Sequence, residues 1–373
     1  MVLAKKKKIR VDFQKNRQTK RREGDLTRRL RGADDEAVDD LHADERIRAK
    51  GRLSRKRTIV VDEDSGAAID ESDAKRGRVL SVTGLHCVVV NDEGGSHKCY
   101  VRRLLKSLES DERSVVSVGD WVRFRPAPNN EGLILRVEPR SCSLIRRYRG
   151  REQVIAANVD QVLVVSALAD PAPKITLIDR WLVRAELCGL RPVICFNKAD
   201  LVDRAPIQPI LGLYAQLGYA TVVVSARTGF GMDELREELR LSETVLLGMS
   251  GVGKSSLLNA LEPRYQLAVK EVSASSLKGR HTTTTARLLA LAEGGTVIDT
   301  PGVRQFELSD VDPGELAGAF IEFRPFLPRC RFSSCTHTEQ EDGCGVAQAV
   351  VDRLISAARY DSYLRILEGA GDE

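Results

Sequence analysis

Gly248-Met249-Ser250-Gly251-Val252-Gly253-Lys254-Ser255, followed by Ser256, is the stretch on which the reading of this chain turns. It has the form G-x-x-x-x-G-K-S. An apolar run at 244–247 precedes it and a helical pattern over 255–261 follows. In that setting the glycines let backbone N–H groups turn inward and cradle phosphates. Lys254 adds positive charge, and the Ser255 hydroxyl is placed to ligate Mg²⁺. A glycine-rich turn without such a role would need neither the strand before it nor the helix after it.

Phosphate loops serve many nucleotides, so the base must be read elsewhere. Asn197-Lys198-Ala199-Asp200 directly follows the apolar run 193–196. A carboxylate at Asp200 accepts from two adjacent donors, the ring N–H and exocyclic amine of guanine. Adenine offers no such pair, and a buried carboxylate left unpaired is costly. Ser225-Ala226 follows the next apolar run, 220–224, where the Ala226 N–H is expected to meet the guanine carbonyl. Asp299-Thr300-Pro301-Gly302 closes the run 296–298. Asp299 is expected to hold Mg²⁺ through water, and the Gly302 N–H to touch the γ-phosphate. Between the phosphate loop and Asp299 lies Gly279-Arg280-His281-Thr282-Thr283-Thr284-Thr285. A threonine that grips Mg²⁺ only when the γ-phosphate is present belongs there, with Thr282, Thr283 and Thr284 the candidates. Val303, directly after Gly302, cannot hydrogen-bond the attacking water, so His281 is a candidate for that task. The catalytic candidates are therefore Lys254, Ser255, Asp299, Gly302 and His281.

The order of these motifs is unusual. An ordinary GTPase runs phosphate loop, switch threonine, D-x-x-G, N-K-x-D, S-A. This chain begins at Asn197, continues through Ser225 and the phosphate loop, and ends with the threonines and Asp299. The set is complete and cyclically permuted. Strand ends that lie close in space permit such a change without altering the site. The permutation moves the second switch to the C-terminal exit of its domain.

A second cluster reads Cys330, Cys335, His337 and Cys344, spaced C-x₄-C-x-H-x₆-C. Three thiolates and an imidazole within fifteen residues fit a closed, tetrahedral, structural zinc site. The other five cysteines, Cys87, Cys99, Cys142, Cys188 and Cys195, show no ligand spacing and read as small buried apolar residues.

Around these motifs the chain divides into four parts. Residues 1–75 are highly charged, with Phe13 their one aromatic, and are expected to be a disordered extension. Residues 1–31 hold 13 basic and 3 acidic side chains, so this part suits either solvent or an RNA backbone. Short β-type runs at 79–82, 87–90, 98–101, 120–124 and 133–137 predict an OB-type β-barrel over 76–150. Six arginines between Arg136 and Arg151 give its exit a basic edge suited to RNA. From 151 to 309, apolar strands alternate with helical stretches at 178–188, 207–217 and 254–261. That pattern predicts a parallel sheet covered on both faces, the permuted α/β GTPase domain. Residues 310–373 predict a helical metal-binding domain, with one helix over 314–323 and another over about 346–367. Asp312-Pro313 would cap the first of these. Neither a membrane span nor a secretory leader is evident, so the cytoplasm is the expected compartment; a monomer is expected.

Barrel, permuted motifs and Cys/His cluster together resemble the RsgA/YjeQ family, the circularly permuted GTPases of small-ribosomal-subunit biogenesis. The likeness runs from about Arg76 to Leu367 and is carried by Asn197–Asp200, the run 248–256, Gly279–Thr284, Asp299–Gly302 and 330–337. It implies an OB-fold, ribosome-stimulated hydrolysis of GTP to GDP, structural zinc, and binding to the small ribosomal subunit and its rRNA. The family likewise has an apolar residue where Val303 stands. Its zinc His-to-Cys interval is one residue shorter than that from His337 to Cys344. The remaining alternative is an RNA-binding module that uses GTP as a ligand with little or no hydrolysis.

Overall fold

The computed structural model describes residues 6–12, 56–62, 73–83, 86–101, 116–148, 151–203, 205–267, 286–299, 311, 313–338 and 342–369. The chain forms two units, 1–72 and 73–373. In the first, strands β1 (Lys6–Asp12) and β2 (Lys56–Asp62) pair antiparallel, Lys6 opposite Asp62. The extension expected to lack structure thus carries a two-stranded ladder within its described residues. Ile9, Val11, Ile59, Val60 and Val61 favour extended backbone.

In the second unit the five expected barrel strands are present. They are β3 (Lys75–Thr83), β4 (His86–Asn91), β5 (Ser96–Val101), β6 (Trp121–Ala127) and β7 (Glu131–Val137). They pair in the order β3-β4-β5-β7-β6, and β6 returns to β3 to close the barrel. Period-two alternation sets its interior: Val122 and Phe124 point in, Trp121 and Arg123 out. Val79, Cys87, Val89, Cys99, Val116 and Ile134 complete the core. The interior is so tight that a Cβ on Gly132 would lie 2.8 Å from the Cys99 sulfur. Burial pushes the Cys87 and Cys99 thiols up to about 12, as inert core cysteines require.

A hairpin, β8 (Ser143–Tyr148) and β9 (Arg151–Ala157), leads out of the barrel. Sequence reading did not find it. Its Leu144 and Ala156 pack into the core of the next domain. That domain is built on β10 (Gln161–Ala167), β11 (Arg191–Asn197), β12 (Ala220–Val223), β13 (Glu243–Gly248), β14 (Arg287–Ala290) and β15 (Thr296–Asp299). Their order is β12-β11-β10-β13-β15-β14, parallel except for β14. Alternate residues of β10 serve opposite faces. Val162 and Val164 meet α1 (Ile175–Leu187) and α2 (Gln208–Gln216) through Trp181, Leu182 and Tyr214. Leu163 and Val165 meet α3 (Met232–Leu239) and α4 (Lys254–Leu261) through Leu235, Leu257 and Leu258. The near-continuous apolar strands are explained by burial on both sides.

Two helical expectations are corrected. The helix expected over 314–323 ends early, as α5 (Pro313–Ala319) followed by a turn at Ile321–Phe323; its expected cap, Asp312, lies outside the described residues. The helix expected over 346–367 is two helices, α6 (Gly345–Val351) and α7 (Ala357–Leu367). At 3.6 residues per turn a continuous helix would set Ile355 about 180° from Val346. Both are buried in one core, and Arg353 at φ 59° turns the chain so that they can be. Phe320, Phe323, Tyr360 and Tyr363 fill that core with ring contacts, and Val183 of α1 enters it. No described helix is long and apolar enough to cross a membrane.

Candidate nucleotide site and metal centre

The described nucleotide motifs converge at the C-terminal ends of the parallel strands. Helix α1 leaves β10 toward one face and α4 leaves β13 toward the other, which opens a crevice between these neighbouring strands. In open α/β sheets that is where ligands bind. The phosphate loop lies there, between β13 and α4. Gly248 and Gly253 adopt φ 153° and 93°. A Cβ on Gly253 would meet Asn197 Nδ2 at 2.4 Å, so the loop closes on the guanine motif only because no side chain intervenes. Lys254 Nζ donates to the carbonyls of Gly248 (2.6 Å) and Met249 (2.7 Å), which holds its charge on the loop. Ser255 and Ser256 follow in the first turn of α4, where free N–H groups favour anions.

Asn197 ties three motifs together. It is buried; its Nδ2 donates to Val252 O (2.8 Å) and its Oδ1 accepts from Ala226 N (3.2 Å). The Ala226 N–H, expected to face a guanine carbonyl, is therefore bonded to Asn197. Asp200 is held by the Ser225 hydroxyl, which donates to its Oδ1 at 2.6 Å. Lys198, in the left-handed region at φ 65°, donates through Nζ to Asp170 O. Arg227, not singled out from the sequence, places Nη1 3.8 Å from Asp200 Oδ2 with its side chain 82 % exposed. Its position directly after Ser225-Ala226 was the available signal.

Asp299 ends β15, the strand beside β13. Burial pushes its carboxyl above the usual range, and the charges of Lys254 and Arg287 offset only part of that rise. Arg287, opposite Asp299 in the ladder, is a second residue that sequence reading missed. His281, Thr282, Thr283, Thr284, Gly302 and Val303 lie outside the described residues.

The Cys/His cluster closes as a unit. The donor atoms of Cys330, Cys335, His337 and Cys344 all lie within 4.8 Å of one another. His337 Nδ1 is 3.5 Å from Cys330 Sγ and 3.6 Å from Cys344 Sγ. Bonds of about 2.3 Å to sulfur and about 2.0 Å to nitrogen at a tetrahedral angle set those atoms roughly 3.5 Å apart. The donor set thus fits a tetrahedral metal, Cys344 included. Backbone N–H groups of Gly345 and Ala347 donate to the Cys330 and Cys344 sulfurs, both at 3.3 Å. Tyr360 and Tyr363 hydroxyls donate to the carbonyls of His337 and Thr336, pinning the loop to α7.

Fold and site define a circularly permuted phosphate-loop GTPase carrying an N-terminal barrel and a C-terminal unit whose Cys/His cluster could hold a metal. Comparison with known proteins narrows this. Residues 137–309 match the RsgA GTPase family model. The small ribosomal subunit biogenesis GTPase RsgA of Pseudomonas aeruginosa (strain LESB58) is 40 % identical over 320 residues, 85 % of this chain and 91 % of that protein. That of Hahella chejuensis is 38 % identical over 330 residues, 86 % and 91 % of the two chains. Among solved structures, YjeQ from Thermotoga maritima superposes with a TM-score of 0.65 at 35 % identity, covering 80 % of this chain and all of that one. YloQ, described as a circularly permuted GTPase, gives 0.61 at 28 % identity, covering 79 % and 94 %. The chain belongs to the RsgA family of GTPases.

Proposed function

We propose that this GTPase works as a monomeric switch in late maturation of the small ribosomal subunit, gripping rRNA in its GTP form and letting go after hydrolysis. The observation that carries the nucleotide half is Asn197, whose buried side chain joins guanine motif to phosphate loop through bonds to Val252 and Ala226. The ribosomal half rests on relatives named as small-subunit biogenesis GTPases. In this reading Asp200 accepts from guanine, Lys254 and the N–H groups of 249–255 cradle the β- and γ-phosphates, and Ser255 and Asp299 hold Mg²⁺. Bound Mg²⁺ neutralises charge on the phosphates. Gly302 and one of Thr282–Thr284 report the γ-phosphate. The test is turnover of GTP with and without purified small subunits. Strong stimulation is expected; turnover unmoved by small subunits would favour the RNA-binding module with little hydrolysis, to which Val303 is also suited.

Two further outcomes follow from the same reading. Replacing Asp200 by Asn should weaken GTP binding about ten- to a hundredfold, the worth of one charged hydrogen-bonded contact, and admit xanthosine nucleotides. Calorimetric titration checks it, and unchanged GTP affinity would remove Asp200 from the guanine site. The cluster at Cys330 is proposed to hold one structural zinc. Elemental analysis should find about one zinc per chain, since closed three-Cys, one-His sites of this kind select it. Cys335→Ala should lose the metal and loosen 313–369, because binding there is largely folding energy. A wild-type chain that is zinc-free yet fully folded would contradict this.

A further inference from the structure

Among the described residues the GTPase sheet does not stop at β14. One edge of β14 pairs with β15, Arg287 opposite Asp299, and the other meets the barrel strand β3, Arg287 opposite Ser81. The strand that leaves the threonine segment is therefore flanked by the Asp299 strand on one side and the barrel on the other. An edge strand is ordinarily a docking site for a partner's strand. Here the chain's own barrel stands in that place.

A second attachment lies three residues back along β3. The Arg78 guanidinium grips the Glu243 carboxylate with two bonds, 2.6 and 2.7 Å, and its side chain is only 13 % exposed. The Trp121 ring lies 5.4 Å from the same guanidinium. Glu243 is the first residue of β13, which ends in the phosphate loop. Opposite it stands Thr296, the first residue of β15, whose hydroxyl donates to the same carboxylate. Asp160 Oδ1 accepts from the Glu243 N–H at 2.9 Å. One carboxylate thus gathers the barrel and the starting ends of both strands that carry the phosphate chemistry. At about 3.3 Å per residue, five residues of β13 put Gly248 roughly 17 Å away, so Glu243 cannot touch nucleotide. It can act only by moving strands.

We propose that Glu243 is a positioning residue: through its clamp on Arg78, and through the Arg287–Ser81 pairing, the barrel serves as a built-in effector that senses the nucleotide state at β13, β14 and β15. This rests on the nucleotide reading of the site and not on the ribosomal one. When nucleotide at the phosphate loop and Asp299 shifts β13 and β15, β14 should draw tighter to β3 through its ladder to β15, and the clamp keeps the far end of the contact from slipping. The state of the site is then carried into the barrel without a covalent hinge, by hydrogen-bonded ladders that shift as units.

Hydrogen–deuterium exchange on the full chain tests this, comparing GDP with a non-hydrolysable GTP analogue. In the wild type, amides of 75–83 should exchange at least fivefold more slowly with the analogue. Glu243→Gln and Arg78→Gln should bind both nucleotides as before yet lose that difference. The swapped pair, Arg78→Glu with Glu243→Arg, should regain it. Exchange indifferent to nucleotide in the wild type, or a difference that persists in both single variants, overturns the proposal. A swap no better than the single variants assigns their loss to packing and overturns it too. Small-subunit stimulation is measured alongside: a wild type that shows the exchange difference but no stimulation keeps this inference and removes the ribosomal reading.

Discussion

Lys254→Ala is expected to slow GTP hydrolysis by about 10²–10³-fold, the usual cost of removing one preorganised charge from a site of developing negative charge. Phosphoryl transfer leaves the protein little to do beyond positioning and electrostatic stabilisation, so the loss has no covalent step to hide behind. The geometry makes the loss specific. Lys254 is locked to the loop by the carbonyls of Gly248 and Met249, and no second cation of the loop stands ready to replace it. Val303→Ala is the natural control, since valine makes no hydrogen bond to lose. Single-turnover hydrolysis, with nucleotide affinity measured in parallel and with small subunits present and absent, reads both. Small-subunit-stimulated turnover of Lys254→Ala near the wild-type rate would show that the phosphate loop is not where catalysis occurs.

The second large effect concerns how the unit that carries the Cys/His cluster stays attached. Arg359 of α7 and Asp179 of α1 are both fully buried and paired. Glu322 meets the same guanidinium at 2.6 Å, Tyr214 of α2 donates to Asp179 at 2.9 Å, and the Phe320 ring lies 4.5 Å from the guanidinium carbon. Burial works to lower the Arg359 pKa, and Asp179 and Glu322 more than reverse it, so the group stays charged. Such a network stabilises little relative to apolar packing of the same volume, but removing one partner strands the others without water. Arg359→Ala should therefore cost about 3–5 kcal/mol. Denaturant unfolding is the measurement, with exchange of 313–369 followed separately. Those helices should loosen while GTP binding, centred on β11 and β13, persists. An Arg359→Ala chain as stable as the wild type would mean that the stranded carboxylates find water or protons at little cost.

The two sets of residues differ in how they could be read. The phosphate loop, Asn197–Asp200 and the Cys/His cluster are each one short stretch of chain, so spacing alone singles them out. Even the permuted order was legible, because motif order is a property of the chain. The barrel strands announced themselves as short β-type runs between turn residues. By contrast β14 is four residues of good helix-formers, Arg287–Ala290, held extended by partners on both edges. The break between α6 and α7 escaped because an amphipathic pattern does not say which side of a core Ile355 must reach.

What the sequence by itself determined is the set of motifs: a phosphate loop, an N-K-x-D motif ending in Asp200 and a Cys/His quartet able to hold a metal, in permuted order. What only tertiary structure decided is how those parts are joined. Arg78 and Glu243 lie 165 residues apart, and Arg359 and Asp179 are separated by 180. In the sequence each is one more charged residue in a chain that is 30 % charged. A charge becomes a clamp when packing strips its water and sets an opposite charge beside it, and neither the burial nor the partner is a local property of the chain.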